Sequence, residues 1–229
     1  MSPSGEKLFC GEGRMLELQK NTYQGKLIVF EGTDGAGKTT LISKTMEYLC
    51  ARFGADRVLS EKQPTDLSRK TRLFQKMMYC SKHEEINYRA VQLLTLSDRV
   101  QHNHEVIIPA LRAGKIIICD RYLYTSIANM LARGYRNETW FFDASKEIIK
   151  PDIAFLAYVE PEIAIQRIRS RPKECDRYLN EELLHNVAKE FLSMQEQEKF
   201  HTLDTSQSAD VVFRQAKKDL DTIFRGKNE

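Results

Sequence analysis

The sequence predicts an α/β fold, one parallel sheet of about five strands with helices on both faces. Three observations carry this expectation. Short apolar runs rich in β-branched residues, at 26–31, 57–61, 115–119, 151–159 and 200–205, alternate with longer runs whose apolar residues recur at helical spacing. Gly32-Thr33-Asp34-Gly35-Ala36-Gly37-Lys38-Thr39-Thr40 fits G-x-x-x-x-G-K-[ST] and lies between the first strand and the first helix, the context a phosphate-binding loop requires. Asp120-Arg121 follows the clearest buried strand, at the sheet end where parallel α/β folds hold their ligands.

The elements follow in order. Residues 1–25 are polar, carry Gly5, Gly11, Gly13 and Gly25, and lack the apolar core of a secretory signal. They read as an extension, flexible or docked, ahead of a single domain at 26–229. The helix over 41–52 has Leu41, Ile42, Thr45, Met46 and Leu49 on one face. In the loop before it, glycines let backbone amides turn inward, and with the helix N-terminus these amides bind polyphosphate oxygens. Lys38 is expected to reach the transferred phosphoryl group of ATP, and Thr39 to place its hydroxyl on Mg²⁺.

Lys62-Gln63-Pro64 lies past the second strand, in the ligand crevice. Thr65 or Asp66 caps a helix over 67–79. Its basic residues Arg69, Lys70 and Arg72 either meet an acceptor phosphate or form a solvated face. A long helix spans 84–112 on Ala90, Val91, Leu94, Val100, Val106, Ile107 and Leu111, with Pro109 kinking or splitting it and Gly114 capping it. His102 and His104 fall on different helix faces and read as surface residues rather than metal ligands.

After the strand at 115–119, Asp120 suits the outer shell of Mg²⁺, and Arg121 suits a bidentate phosphate clamp. Helices follow at 122–133 and 137–149, then the strand at 151–159, with Pro161 opening the next helix at its first turn. Arg167, Arg169, Arg171, Lys173 and Arg177 fall in eleven residues broken by Pro172. This segment, around 167–178, reads as a lid whose arginines act on the developing charge of the transferred group. A helix over 180–199 has its apolar stripe at Leu184, Val187, Phe191 and Met194. Thr205 and Ser206, after the last strand, are placed near an adenine ring, and a helix over 209–224 closes the chain.

The bulk composition excludes other classes. The chain has 229 residues, 41% hydrophobic and 29% charged, with a net charge of +3. That charge is too small to argue for a nucleic-acid or membrane partner. No apolar run approaches the about 18 residues of a membrane span. The five cysteines, Cys10, Cys50, Cys80, Cys119 and Cys175, form no C-x-x-C pair and read as reduced thiols of a cytoplasmic protein.

Gly32 to Thr40, Asp120-Arg121-Tyr122, the run from Ala90 to Asp98-Arg99 with its continuation to Gly114, and the arginine-rich segment with Asp176-Arg177 together resemble the thymidylate kinase family. The resemblance covers residues 26–224. It implies a three-layer P-loop kinase fold, transfer of the ATP γ-phosphoryl to a deoxynucleoside monophosphate, foremost dTMP, and a homodimer. It implies that Asp34 meets the acceptor sugar hydroxyl, Arg121 the acceptor phosphate, and Arg99 the base and phosphate. Pro64, Arg72, Thr95, Ser126, Asn129 and Met130 complete the acceptor site by position. Three of these regions depart from the family pattern: Thr95 replaces a stacking aromatic residue, Asn129-Met130 replaces Tyr-Gln, and Lys62-Gln63-Pro64 replaces Arg-Glu-Pro. Two other readings follow from those departures: a kinase of this family acting on a different nucleotide or other acceptor, or a nucleotide-binding regulator.

Overall fold

A computed structural model describes residues 16–79, 86–172 and 179–225. Five strands form one parallel sheet: β1 (Lys26–Glu31), β2 (Val58–Lys62), β3 (Ile116–Asp120), β4 (Ile153–Tyr158) and β5 (His201–Asp204), in the order β2-β3-β1-β4-β5. The fold class read from the sequence is the one observed. β1 lies at the centre, and its side chains alternate between two cores. Leu27 and Val29 join Ile117, Cys119 and Leu156 on one side, while Ile28 and Phe30 join Ile116, Ile118 and Phe155 on the other. This is why the central strands read as unbroken apolar runs: both faces are covered.

Helices α1 (Lys38–Phe53), α8 (Pro161–Arg169) and α10 (Ala209–Phe224) cover the second face. Helices α4 (Tyr88–His102), α5 (Ile108–Arg112), α6 (Leu123–Ala132), α7 (Thr139–Ser145) and α9 (Glu181–Glu198) cover the first. Pro161 sits in the first turn of α8, and Asn180 caps α9 by accepting from Leu183 N at 2.8 Å. Within the extension, Gln19 pairs with the segment leading to β4, through Gln19 N to Ile148 O at 2.9 Å and Lys150 N to Gln19 O at 2.6 Å. Leu16 and Leu18 pack on the first core, so the described part of the extension is docked. Residues 1–15 lie outside the described residues.

Three helices differ from the sequence expectation. The helix over 67–79 is two, α2 (Asp66–Arg69) and α3 (Arg72–Tyr79). Thr65 caps α2 through Leu67 N, and Thr71 breaks the run. The Thr71 hydroxyl donates to Ser68 O at 2.8 Å and accepts from Phe74 N at 3.2 Å, a side-chain bond that competes with the helical ladder. The helix over 84–112 holds a π turn at Asn103–Ile107. Pro109 has no N–H for Glu105 O, and the wider turn accommodates its ring. The helix over 137–149 shrinks to α7, because 146–149 turn to pair with Gln19.

Candidate active site

The phosphate loop is held by two close contacts. Gly32 has φ +134°, and a Cβ there would lie 2.3 Å from Ala157 O on β4. Gly35 has φ +79°, and a Cβ would meet Ala164 O of α8 at 2.4 Å. Only glycine lets the loop rest on both elements. Ala36 is buried beneath it, while Thr33, Asp34, Gly35, Gly37, Lys38, Thr39 and Thr40 face a cavity of about 480 Å³. Lys38 opens α1, and its Nζ donates to Gly32 O at 2.9 Å and Thr33 O at 2.6 Å. Burial, then the nearby Arg121 charge, pushes its pKa down to about 7.

The end of β3 supplies the opposing charges. Arg121 adopts φ +67°, a left-handed backbone rare for a side chain of its size. A buried acid explains it. Glu31, at the end of β1, accepts from Tyr122 N at 2.9 Å and Thr125 N at 3.2 Å, and from the Thr125 hydroxyl. These bonds pin the start of α6 to β1 and turn the residue between them. The Arg121 guanidinium then reaches back to the loop, donating to Gly32 O at 3.0 Å and Thr125 Oγ1 at 3.2 Å. It also pairs with Asp34 at 2.5 Å. Burial works against its charge, but Asp34, Asp120 and Glu31 outweigh that and raise its pKa. Burial raises the Glu31 pKa against the hydrogen bonds from Thr125 and Tyr122 and the charges of Arg121 and Arg99. Sequence reasoning passed over Glu31; the available signal was an acid closing an otherwise apolar strand directly before the phosphate loop.

Asp120 Oδ2 lies 3.3 Å from Lys62 Nζ. Its Oδ1 is buried and has no partner among the described residues. Among those residues no group of three or more His, Cys, Asp and Glu side chains forms a metal cluster.

The other end of the cavity lies between helices. α4 presents Tyr88, Val91, Gln92, Thr95 and Arg99, a stripe at helical spacing; α6 presents Thr125, Ser126, Asn129 and Arg133; α3 presents Phe74, Met77 and Met78. Pro64 completes this wall, and so does Arg69, whose Nε donates to Pro64 O at 2.6 Å. Burial, then Arg121, lowers the Arg69 pKa. Arg72 is exposed and off the wall, because the break at Thr71 separates α3 from α2. Met130 is 2% exposed and points into the first core. Arg99 lies on the wall at 1% exposure with three N–H contacts to backbone, two to Tyr122 O at 3.1 and 3.3 Å and one to Thr95 O at 3.0 Å.

The lid arginines separate. Arg171 reaches the cavity. Arg167 ties α8 to the loop and to the end of β5, through Gly35 O at 3.4 Å and Thr205 O at 2.8 Å. Arg169 meets Glu181 at the surface, 3.5 Å away. Residues 173–178, with Lys173, Asp176 and Arg177, lie outside the described residues. His102 is not the surface residue expected. It is buried behind the Pro64 loop, with Nδ1 2.9 Å from Gln63 Nε2 and Nε2 3.1 Å from Glu61 Oε2. Two polar partners, the buried Gln63 and the partly exposed Glu61 of β2, compensate an imidazole that helix phase alone places at the surface. His104 is exposed.

The sequence pattern of one family, described as thymidylate kinase, matches residues 30–216. A probable thymidylate kinase of Pyrococcus abyssi is 36% identical over 178 residues, covering 76% of this chain and 84% of that protein. A thymidylate kinase of Ligilactobacillus salivarius is 32% identical over 197 residues, covering 82% and 94%. The crystal structure of thymidylate kinase from Ehrlichia chaffeensis superposes with a TM-score of 0.64 at 22% identity, covering 86% of this chain and 98% of that one, a likeness of fold.

Proposed function

This chain belongs to the thymidylate kinase family, and from that premise we infer that it transfers the γ-phosphoryl group of ATP to dTMP, giving ADP and dTDP. The observation that carries the reading is a single cavity joining the phosphate loop to Arg121 and Arg69. A donor phosphate chain at one end and an acceptor phosphate at the other then face each other in line.

In this reading the loop amides and Lys38 hold the β- and γ-phosphates. Nucleotide oxygens replace Gly32 O and Thr33 O as partners of Lys38 and favour its charged form. Arg121 exchanges Asp34 for the acceptor phosphate, and Asp34 turns to the acceptor sugar hydroxyl. Arg69, one of the three basic residues Arg69, Lys70 and Arg72 that the sequence offered for it, takes the second acceptor-phosphate contact. No strong base is needed, since the acceptor phosphate is already ionised. Arg167 holds α8 against the loop, and Arg171, with Arg169 nearby, brings positive charge to the transferred group. Thr39 and Asp120 would hold Mg²⁺: both offer hard oxygens, and the partnerless Asp120 Oδ1 suits a cation or its bound water. The ion, when bound, neutralises charge on the β- and γ-oxygens.

The same proposal takes 26–229 as one catalytic domain, active as a homodimer in the cytoplasm. The unpaired thiols of Cys50 and Cys119 support a reducing compartment. No helix among the described residues is long and apolar enough to cross a membrane.

The test is ADP release from ATP·Mg²⁺ with dTMP, dUMP, dCMP, dGMP, UMP and thymidine. Preference for dTMP is expected. Turnover with another acceptor alone, or ATP binding without turnover, would select one of the other two readings.

A further inference from the structure

Thr95 and Asn129 stand where the family resemblance places aromatic residues, so neither position offers a ring to an acceptor base. The same end of the cavity holds a different set: Tyr88 and Gln92 from α4, and Arg133 from α6 on the opposite wall. The Arg133 guanidinium lies over the Tyr88 ring, 4.1 Å from its centre. Its Nη1 donates to Asn129 Oδ1 at 2.7 Å and Asn129 O at 3.1 Å. The Asn129 substitution therefore has a visible consequence: it orients Arg133 from one turn away. The remaining Arg133 N–H groups have no protein partner among the described residues.

Gln92 is 3% exposed. Its carboxamide lies beside the Tyr88 side chain, and its Oε1 has no partner among the described residues. A buried carbonyl left in that state is unfavourable until a donor reaches it. Arg99, by contrast, spends three N–H contacts on the carbonyls of Tyr122 and Thr95.

We propose that Arg133 and Gln92 read the acceptor base along its edge, Arg133 donating to a ring carbonyl and Gln92 Oε1 accepting from the adjacent ring N–H. Tyr88, in contact with both, sets their spacing. This rests on the dTMP reading above and names how the base is chosen. Thymine and uracil carry a carbonyl beside N3–H, which matches a donor beside an acceptor. Cytosine carries an amino group beside a bare N3, so both contacts become repulsive pairs. A site built from hydrogen bonds rejects a base that cannot make them more strongly than an apolar pocket rejects a missing methyl group.

The experiment measures kcat and KM with ATP for dTMP, dCMP and N3-methyl-dTMP, in the wild-type enzyme and in Gln92→Leu and Arg133→Met. In the wild type, N3-methyl-dTMP, which lacks the N–H, is expected to lose at least about 10-fold in kcat/KM. In each variant the KM for dTMP is expected to rise about 10-fold or more with kcat changed far less, and the dTMP-to-dCMP preference to shrink by a similar factor. ATP affinity and the melting curve report whether each variant is folded; the N3-methyl comparison needs no variant. Equal use of dTMP and N3-methyl-dTMP, or an unchanged preference in both folded variants, overturns the base-reading role alone. A wild-type enzyme that ignores dTMP overturns the function and this inference together.

Discussion

Glu31 Oε1 accepts the backbone N–H of Tyr122 at 2.9 Å, and this one bond links the end of β1 to the first turn of α6. Arg121, between them, is held at φ +67° and aimed back at the phosphate loop. A residue that does not itself line the cavity thus fixes the side chain assigned to the acceptor phosphate.

Replacing Glu31 by Ala removes the acceptor of the Tyr122 and Thr125 N–H groups and of the Thr125 hydroxyl. Two buried N–H groups are left without it, so stability should fall by about 1–3 kcal/mol in urea denaturation. The KM for dTMP should rise about 10-fold or more, while ATP affinity changes little, because the loop itself is held by Gly32 and Gly35.

Lys38 lies among loop carbonyls at the start of α1. Lys38→Ala should lower kcat at least about 10³-fold, by loss of the charge that follows the transferred group. Its far-UV circular dichroism should match the wild type. Near-normal turnover would remove the phosphate loop from the mechanism.

Arg69 and Arg72 are three residues apart, and only Arg69 lies on the cavity wall. Arg69→Ala should raise the KM for dTMP about 10–100-fold, as expected for a lost charged contact to phosphate. Arg72→Ala should stay within about 2-fold, the behaviour of an exposed charge. The reverse ranking, in parallel steady-state assays, would restore the assignment made from sequence position.

Glu198, at the end of α9, has its pKa pushed up to about 7 by burial, against a smaller opposite effect from Lys150. Its folded pKa is thus above the unfolded value near 4.3. The stability it carries is full below about pH 4.3 and lost as pH rises through 7. Glu198→Gln should therefore stabilise the protein at pH 8.5 relative to wild type, by roughly 1–2 kcal/mol after screening by solvent, and much less at pH 5. Urea denaturation of both proteins at the two pH values checks this, and a difference independent of pH would show that burial does not govern this carboxyl.

Much of the site was legible because its chemistry is written in short spacings. The loop glycines, Lys38 and Thr39 sit in nine consecutive residues, and Asp120-Arg121 is one dipeptide at a strand end. The helices were less legible wherever a polar side chain competed with the backbone. Thr71 ended α2, and the π turn before Pro109 was invisible to apolar periodicity.

The sequence alone determined the order of strands and helices, the phosphate loop and the acid–arginine pair facing it. These depend on local period and on residues a few positions apart, which no distant contact can easily override. Tertiary structure decided which arginines meet the cavity, why His102 is buried, why Glu31 matters, and that Arg133 lies against Tyr88 across from Gln92. Each of those depends on where one element's phase falls against another many residues away. Such pairings are set by how the two cores close around the sheet, and by no spacing within a single run.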